Sequence, residues 1–122
     1  MWIDMKVGFP QDMVIIEPKG RLTLETEAQF TEAARELLQS GVTRLVLNLE
    51  YVPYIDSAGL GAIVAAYTSA CRRGGTLKLL RPTRRSRKVL GITKLLTVLE
   101  SYDTEEEVLR SFESRDAKTM AC

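Results

Sequence analysis

The segment that most constrains the fold is an apolar run over residues 44–49. Its apolar members are Leu45, Val46, Leu47 and Leu49. A strand this continuously apolar is typical of a parallel sheet that is covered on both faces. A helical pattern precedes it, and a β-branched strand pattern precedes that helix. Strand, helix and strand in this order indicate a βαβ unit, so we predict an α/β fold.

The remaining elements follow from periodicity and from capping residues. We predict strands over residues 3–9, 12–18, 76–80 and 97–99, with a turn at residues 9–12. The first helix begins near Thr26, where Thr26 and Gln29 fit a capping box, and ends at Gly41. Further helices are predicted over residues 57–73, from Thr83 to Gly91, and after a second capping box at Thr104 and Glu107. The result is a mixed sheet of four or five strands with about four helices packed mainly on one face.

Length and terminal composition predict one domain and a short tail. The chain has 122 residues, which suits a single domain. We assign residues 1–114 to that domain and predict that the polar residues 115–122 are disordered. Neither a signal peptide nor a membrane span is expected, and we predict a cytoplasmic protein whose two cysteines, Cys71 and Cys122, are reduced thiols.

The histidine count restricts the chemistry. The chain contains no histidine, which excludes Ser-His-Asp and Cys-His catalysis by this chain alone and excludes histidine-ligated metals. We therefore expect a protein that is acted upon by a partner, not an enzyme, and we expect neither a cofactor nor a metal.

Charge is segregated along the chain although the formal net charge is +1. Residues 57–99 carry nine basic and no acidic side chains, whereas the segments before and after them are each net −4. Such a basic block is either a solvated surface or a docking surface for an acidic or phosphorylated partner. A nucleic-acid role is not favoured, because residues 72–94 contain no aromatic side chain for base stacking.

Residues 56–61, Asp-Ser-Ala-Gly-Leu-Gly, are the strongest local motif. A nucleophile elbow is excluded because Ile55 stands where its first glycine is needed, and a dinucleotide fingerprint is excluded because Val64 stands at the third. Gly59 and Gly61 lie in the first two turns of a predicted helix, where each costs about 1 kcal/mol relative to alanine. Either tight helix packing or close approach of a partner explains them.

The motif and its context resemble the STAS domain of bacterial anti-sigma-factor antagonists. Residues 54–61, Tyr-Ile-Asp-Ser-Ala-Gly-Leu-Gly, follow a Leu-Val-Leu-Asn-Leu strand, and the resemblance extends over roughly residues 3–112. Further matches are Gly20-Arg21-Leu22, Gly74-Gly75 and Lys88-Val89-Leu90 ahead of Ile92. One position departs from the pattern, because Thr23 stands where many members carry an aspartate, and Glu25 or Glu27 is the candidate replacement.

The resemblance implies a phosphorylation switch. The serine that matches Ser57 is phosphorylated by an anti-sigma factor that is an ATP-dependent serine kinase. The unmodified antagonist binds this partner and frees the sigma factor, the phosphorylated form is released, and a metal-dependent phosphatase restores it. The implied contact residues are Thr23, Glu25, Asp56, Ser57, Ala58, Gly59, Leu60 and Gly61.

The basic block contributes to the same predicted site. Ser57 follows one strand and Arg84 and Arg85 follow another, so parallel strands would bring all three to one edge of the sheet. We predict Arg84 and Arg85 as further partner contacts, and a monomer or weak dimer in solution. The alternative is a STAS subunit of a lipid-transport or stress-sensing assembly in which Ser57 is not phosphorylated.

Overall fold

The computed structural model describes residues 1–7 and 13–114 of the chain. They form five strands, four α-helices and one short 3₁₀ helix. The strands are β1 (Trp2–Val7), β2 (Met13–Lys19), β3 (Arg44–Asn48), β4 (Thr76–Leu80) and β5 (Ser101–Tyr102). The α-helices are α1 (Glu27–Gln39), α2 (Ser57–Arg72), α3 (Arg84–Ile92) and α4 (Glu105–Ser114), and the 3₁₀ helix is Leu95–Thr97.

The strands form one mixed sheet in the order β1-β2-β3-β4-β5. β1 pairs antiparallel with β2, and every later neighbour pairs in parallel. The predicted α/β fold with a mixed sheet is confirmed. The carboxyl ends of β2, β3 and β4 therefore lie at one edge, and the loops after them lead to the first residues of α1, α2 and α3.

Alternation along the strands builds a core on each face of the sheet. Leu45 and Leu47 of β3 pack with α1, α2 and α3 on one face, through Phe30, Ile63 and Leu90 among others. Val46 points to the other face and packs in the cluster that contains Val108 and Phe112 of α4. Three helices on one face and one on the other explain why β3 is apolar at consecutive positions.

Two predicted helix ends are confirmed. The Thr83 hydroxyl accepts a hydrogen bond from the Ser86 N–H at 3.1 Å, which satisfies one donor of the first turn of α3. Gly41 follows α1 with a φ of 103°, the left-handed conformation that glycine adopts after a helix end without steric cost.

The predicted capping box at Thr26 and Gln29 is wrong. Thr26 precedes α1 but makes no capping hydrogen bond through its side chain. Its hydroxyl donates to the carbonyl of Arg21 at 2.7 Å and accepts from the Thr23 N–H at 2.9 Å. The side chain therefore closes the loop before the helix and does not cap the helix.

Two boundaries in the last third of the chain differ from prediction. The last strand is Ser101–Tyr102 and not residues 97–99, because Leu95–Thr97 form a 3₁₀ turn that follows Lys94 at a φ of 63°. Leu99 lies between this 3₁₀ turn and β5, and its side chain is buried in the core. Gly91 does not end α3, which continues to Ile92.

Several sequence predictions concern residues that lie partly or wholly outside the described part. The turn at residues 9–12 and the tail at 115–122 both lie outside it. The prediction of reduced thiols is wrong at Cys71, which is disulfide-bonded, while Cys122 lies outside the described residues.

Within residues 1–7 and 13–114, no helix has the length and apolar character needed to cross a membrane.

Candidate functional site

Backbone hydrogen bonds join the loop after β2 to the segment that precedes α2. Leu22 forms an isolated parallel bridge with Ile55. The Leu22 N–H donates to the carbonyl of Tyr54 at 2.9 Å, and the Asp56 N–H donates to the carbonyl of Leu22 at 3.2 Å. This pairing places residues 22–26 beside the first turn of α2, although they are separated by more than 30 positions in the chain.

Asp56 fixes both segments with one carboxylate. As the residue before α2, it accepts a hydrogen bond from the Gly59 N–H through Oδ1 at 2.9 Å. Its Oδ2 accepts from the Leu24 N–H at 3.1 Å. These hydrogen bonds hold the pKa of the Asp56 carboxyl below its ordinary value, and the one from the Gly59 N–H has the largest effect. Asp56 thus caps the helix and positions the neighbouring loop, in addition to the partner contact predicted for it.

We expect Asp56→Asn to lower the melting temperature at pH 7, because an amide has one acceptor oxygen and no charge. The lowered pKa means that the folded state binds fewer protons than the unfolded state near the ordinary value of 3.8. The stabilisation is therefore present above that value and lost as the pH falls through the lowered pKa. Thermal denaturation at pH 7 and at an acid pH below the lowered pKa checks this, since the two proteins should converge there. Asp103→Asn, at a carboxylate with 81% exposure, is the control, and an Asp56→Asn deficit that is equal at both pH values contradicts the expectation.

Ser57 is the first residue of α2 and is exposed. A helix N-terminus carries N–H groups without intrahelical partners and the positive end of the helix dipole, so it tolerates a bound or covalent anion. The location suits a modified serine without requiring one, since serine is also common at helix starts.

The two glycines of the motif have different surroundings. A Cβ at Gly59 would lie 2.3 Å from the carbonyl oxygen of Leu22, so tight packing within the chain explains Gly59. A Cβ at Gly61 would meet nothing within 4 Å, and Gly61 is exposed. Intramolecular packing therefore does not explain Gly61.

Thr23 and Glu25 differ in accessibility. Thr23 is 8% exposed, and its hydroxyl donates to Glu25 Oε1 at 3.1 Å. Glu25 is exposed. Of the two predicted contacts, Glu25 therefore has its carboxylate at the surface, while the buried Thr23 orients that carboxylate through its hydrogen bond. Leu24, between them, is 72% exposed and was not predicted as a site residue.

The basic block divides into residues with different surroundings. Lys78 is buried, so a solvated surface is the wrong interpretation for this residue; its Nζ lies 3.0 Å from Glu100 Oε1 and donates to Ser111 Oγ at 2.8 Å. Arg81 pairs with Glu50 at 3.1 Å, and Arg87 pairs with Asp103 at 3.7 Å.

Arg84 and Arg85 are exposed in the first turn of α3, at the edge that also carries Ser57. The guanidinium of Arg85 lies over the ring of Tyr54, 5.7 Å from its centroid. Arg21 lies over the same ring at 5.0 Å. Arg21 and Tyr54 were not predicted as site residues. Arg21 lies outside the basic block, and Tyr54 lies in a largely apolar segment after β3 whose pattern indicates packing.

The decisive comparison is with family models. The model of the STAS domain matches residues 4–108. The chain belongs to the STAS family. In residues 1–7 and 13–114 of this STAS domain, no group of three or more His, Cys, Asp or Glu side chains is arranged to hold a metal ion.

Individual relatives agree with this assignment. A protein of Thermotoga neapolitana, described as a candidate anti-sigma factor antagonist, is 35% identical over 106 residues, which cover 86% of this chain and 94% of the relative. The crystal structure of a protein of Thermotoga maritima with the same description has a TM-score of 0.83 at 30% identity, covering 89% of this chain and 92% of that one.

The anti-sigma factor antagonist SpoIIAA shares the fold in two chemical states. Its unphosphorylated form has a TM-score of 0.78 at 22% identity, covering 93% of this chain and 97% of that one. The phosphorylated form of the Bacillus protein has a TM-score of 0.70 at 23% identity, covering 90% and 98%. At this identity the likeness establishes the STAS fold.

Proposed function

We propose that this STAS domain is an anti-sigma-factor antagonist that is switched at Ser57. With Ser57 unmodified it binds an anti-sigma factor and so releases the sigma factor. Phosphorylation of Ser57 by that partner, acting as a serine kinase, ends the binding, and a metal-dependent phosphatase reverses it. In this role the chain acts in the cytoplasm and catalyses no reaction itself. The observation that carries the proposal is the exposed Ser57 at the N-terminus of α2 in a chain of this family.

The exposed side of α2 supports a protein contact at this serine. Ser57 and Gly61 are four residues apart and therefore lie on one face of the helix. Gly61 lowers helix propensity by about 1 kcal/mol relative to alanine, and beyond its chain neighbours and the backbone of α2 itself no described atom would lie within 4 Å of a Cβ there. A partner surface that packs closely against this face explains a glycine that the fold does not require.

Electrostatics explains how a phosphate at Ser57 would end such a contact. A phosphoserine adds about −1.5 to −2 charges at neutral pH, next to the carboxylate of Asp56. Within the chain, the helix N-terminus accommodates this charge. At a close interface the phosphate would have to be desolvated and would occupy the space into which the partner fits. Release then follows from conflict at the surface, and the backbone is expected to stay nearly superimposable.

Phosphorylation by a candidate kinase tests the proposal. The protein is incubated with ATP and with serine kinases encoded near its gene, and the modified residue is located by mass spectrometry. We expect one phosphate, on Ser57, and none in Ser57→Ala, while Ser69→Ala, at an exposed serine of the same helix, remains a substrate. The phosphorylated form should bind the anti-sigma factor at least about 100-fold more weakly, because like charges at an interface cost several kcal/mol.

Two outcomes would remove this function. Phosphate on another residue that persists in Ser57→Ala would separate modification from the motif. Tight binding of the unmodified protein to a transport or stress-sensing assembly, with no kinase that acts on Ser57, would favour the alternative of a STAS subunit without phosphorylation.

A further inference from the structure

A cluster of two arginines and one tyrosine lies beside the Ser57 segment. Tyr54 is half-buried, and the guanidinium groups of Arg21 and Arg85 lie 5.0 and 5.7 Å from its ring centroid. We call these three residues the Tyr54 cluster. Arg21 comes from the loop after β2 and Arg85 from the first turn of α3, so one ring holds cations from two separate elements. Cation–π contact limits the freedom of both side chains before any ligand arrives.

Arg21 and Arg85 differ from Arg81 and Arg87 in their ion pairing. Within residues 1–7 and 13–114, neither Arg21 nor Arg85 forms an ion pair with a carboxylate, and neither does the adjacent Arg84. Arg81 and Arg87, in the same basic block, each pair with a carboxylate of this chain. An exposed guanidinium that is oriented but not paired retains its donors for a planar anion such as a carboxylate.

The surface next to the cluster is concave. A cavity of about 620 Å³ is lined by Lys19, Arg21, Thr26, Tyr54 and Asp56, among others. Glu25 and Asp56 are the carboxylates of this lining, and both already accept hydrogen bonds, Glu25 from Thr23 and Asp56 from two backbone N–H groups. Lys19 is paired with Asp4 at 3.0 Å. Of the two arginines of the cluster, Arg21 lines this cavity. Arg85 is outside the lining and is joined to it through its contact with the Tyr54 ring.

We propose that the Tyr54 cluster is the docking site for an acidic segment of the protein partner, with Arg21 and Arg85 each receiving a carboxylate. This inference rests on the proposed function for the identity of the partner and adds the chemistry by which it is recognised. Position 23 is a buried threonine, and the guanidinium groups of Arg21 and Arg85, both oriented by the Tyr54 ring, are the groups that would receive the carboxylates.

A peptide titration tests the docking site without any kinase. The ¹⁵N-labelled protein is titrated with a hexaglutamate peptide at low salt and followed by amide chemical shifts. We expect saturable shifts confined to residues 20–26, 54–57 and 84–86, and an affinity that falls with added salt. The double variant Arg21→Gln/Arg85→Gln should bind about tenfold more weakly. Glu25→Gln should bind more tightly, because it removes a repelling charge.

The matched control is Arg72→Gln, an exposed arginine at the far end of α2, about 22 Å from Ser57 at 1.5 Å per residue; it should bind as the wild type does. Shifts centred elsewhere, equal weakening by Arg72→Gln, or tighter binding of an oligothymidylate through the same residues would overturn the proposal. Because the assay needs no phosphate, loss of peptide binding and failure of Ser57 phosphorylation are separate results.

Discussion

Gly59→Ala is expected to destabilise the fold by about 2–4 kcal/mol, since overpacking costs 1–3 kcal/mol and lost hydrogen bonds add to it. The new Cβ would lie 2.3 Å from the Leu22 carbonyl oxygen and 3.0 Å from Leu22 Cγ. That oxygen accepts from the Asp56 N–H, so it cannot move without breaking the pairing that places the loop beside α2. The gain in helix propensity, about 1 kcal/mol, offsets only part of this cost. Chemical denaturation measures the change, and the melting temperature should fall by on the order of 10 °C.

Gly61→Ala is the matched control, because it makes the same chemical change in the same helix. With nothing within 4 Å of the new Cβ, it should raise the free energy of unfolding by about 0.5–1 kcal/mol. If Gly59→Ala were as stable as the wild type, or if both variants lost stability equally, the explanation of Gly59 by the Leu22 contact would be wrong. Weaker partner binding by the stable Gly61→Ala variant would locate the contact on this face of α2.

Glu100→Ala is expected to cost about 2–4 kcal/mol, because it leaves the buried ammonium of Lys78 without this carboxylate. Lys78 Nζ lies 3.0 Å from Glu100, donates to Ser111 Oγ at 2.8 Å and lies 4.5 Å from the ring centroid of Phe112. The side chain of Lys78 is 4% exposed, whereas that of Glu100 is 37% exposed. Removing the buried partner should therefore cost less than removing the exposed one, because water can solvate the glutamate that remains.

Lys78→Met tests this asymmetry directly. Methionine retains most of the apolar stem against Phe112, and Ser111 Oγ keeps its hydrogen bond to the carbonyl of Val108 at 2.7 Å. We expect a change in the free energy of unfolding of less than about 1.5 kcal/mol. Glu106→Ala, at an exposed residue of α4, serves as the control for loss of a carboxylate and should cost less than about 1 kcal/mol. A larger loss in Lys78→Met than in Glu100→Ala would contradict the expected order.

The sequence predicted the elements that follow from burial on both faces or from a local cap. The apolar run at residues 44–49 indicated a covered parallel strand, and β3 occupies Arg44–Asn48 with helices on both faces of the sheet. Thr83 was predicted as a cap because a cap needs only the first turn of its own helix. The STAS family was also recognised from residues 54–61 and their position after this strand.

The failures concern residues whose role depends on distant partners. Thr26 has the pattern of a capping box, but a hydrogen bond to the Arg21 carbonyl competes for its hydroxyl. Lys78 belongs to the basic block, for which one interpretation was a solvated surface. Only the position of α4 shows that this lysine is buried. The Tyr54 cluster needed three parts of the chain to be placed together, which no local pattern reports. Phosphorylation, partner contacts and domain limits stay predictions of the sequence.

The pairing of Leu22 with Ile55 has a consequence for peptide mimicry of this surface. Residues 22–26, 54–57 and 84–85 meet only through the sheet order and through hydrogen bonds such as that between Asp56 and Leu24. A synthetic peptide that copies one of these segments has no neighbour to hold its shape and must lose conformational entropy on binding that the folded domain has already lost. This surface is thus a property of the native state, and the fraction of the chain that presents it follows the folding equilibrium.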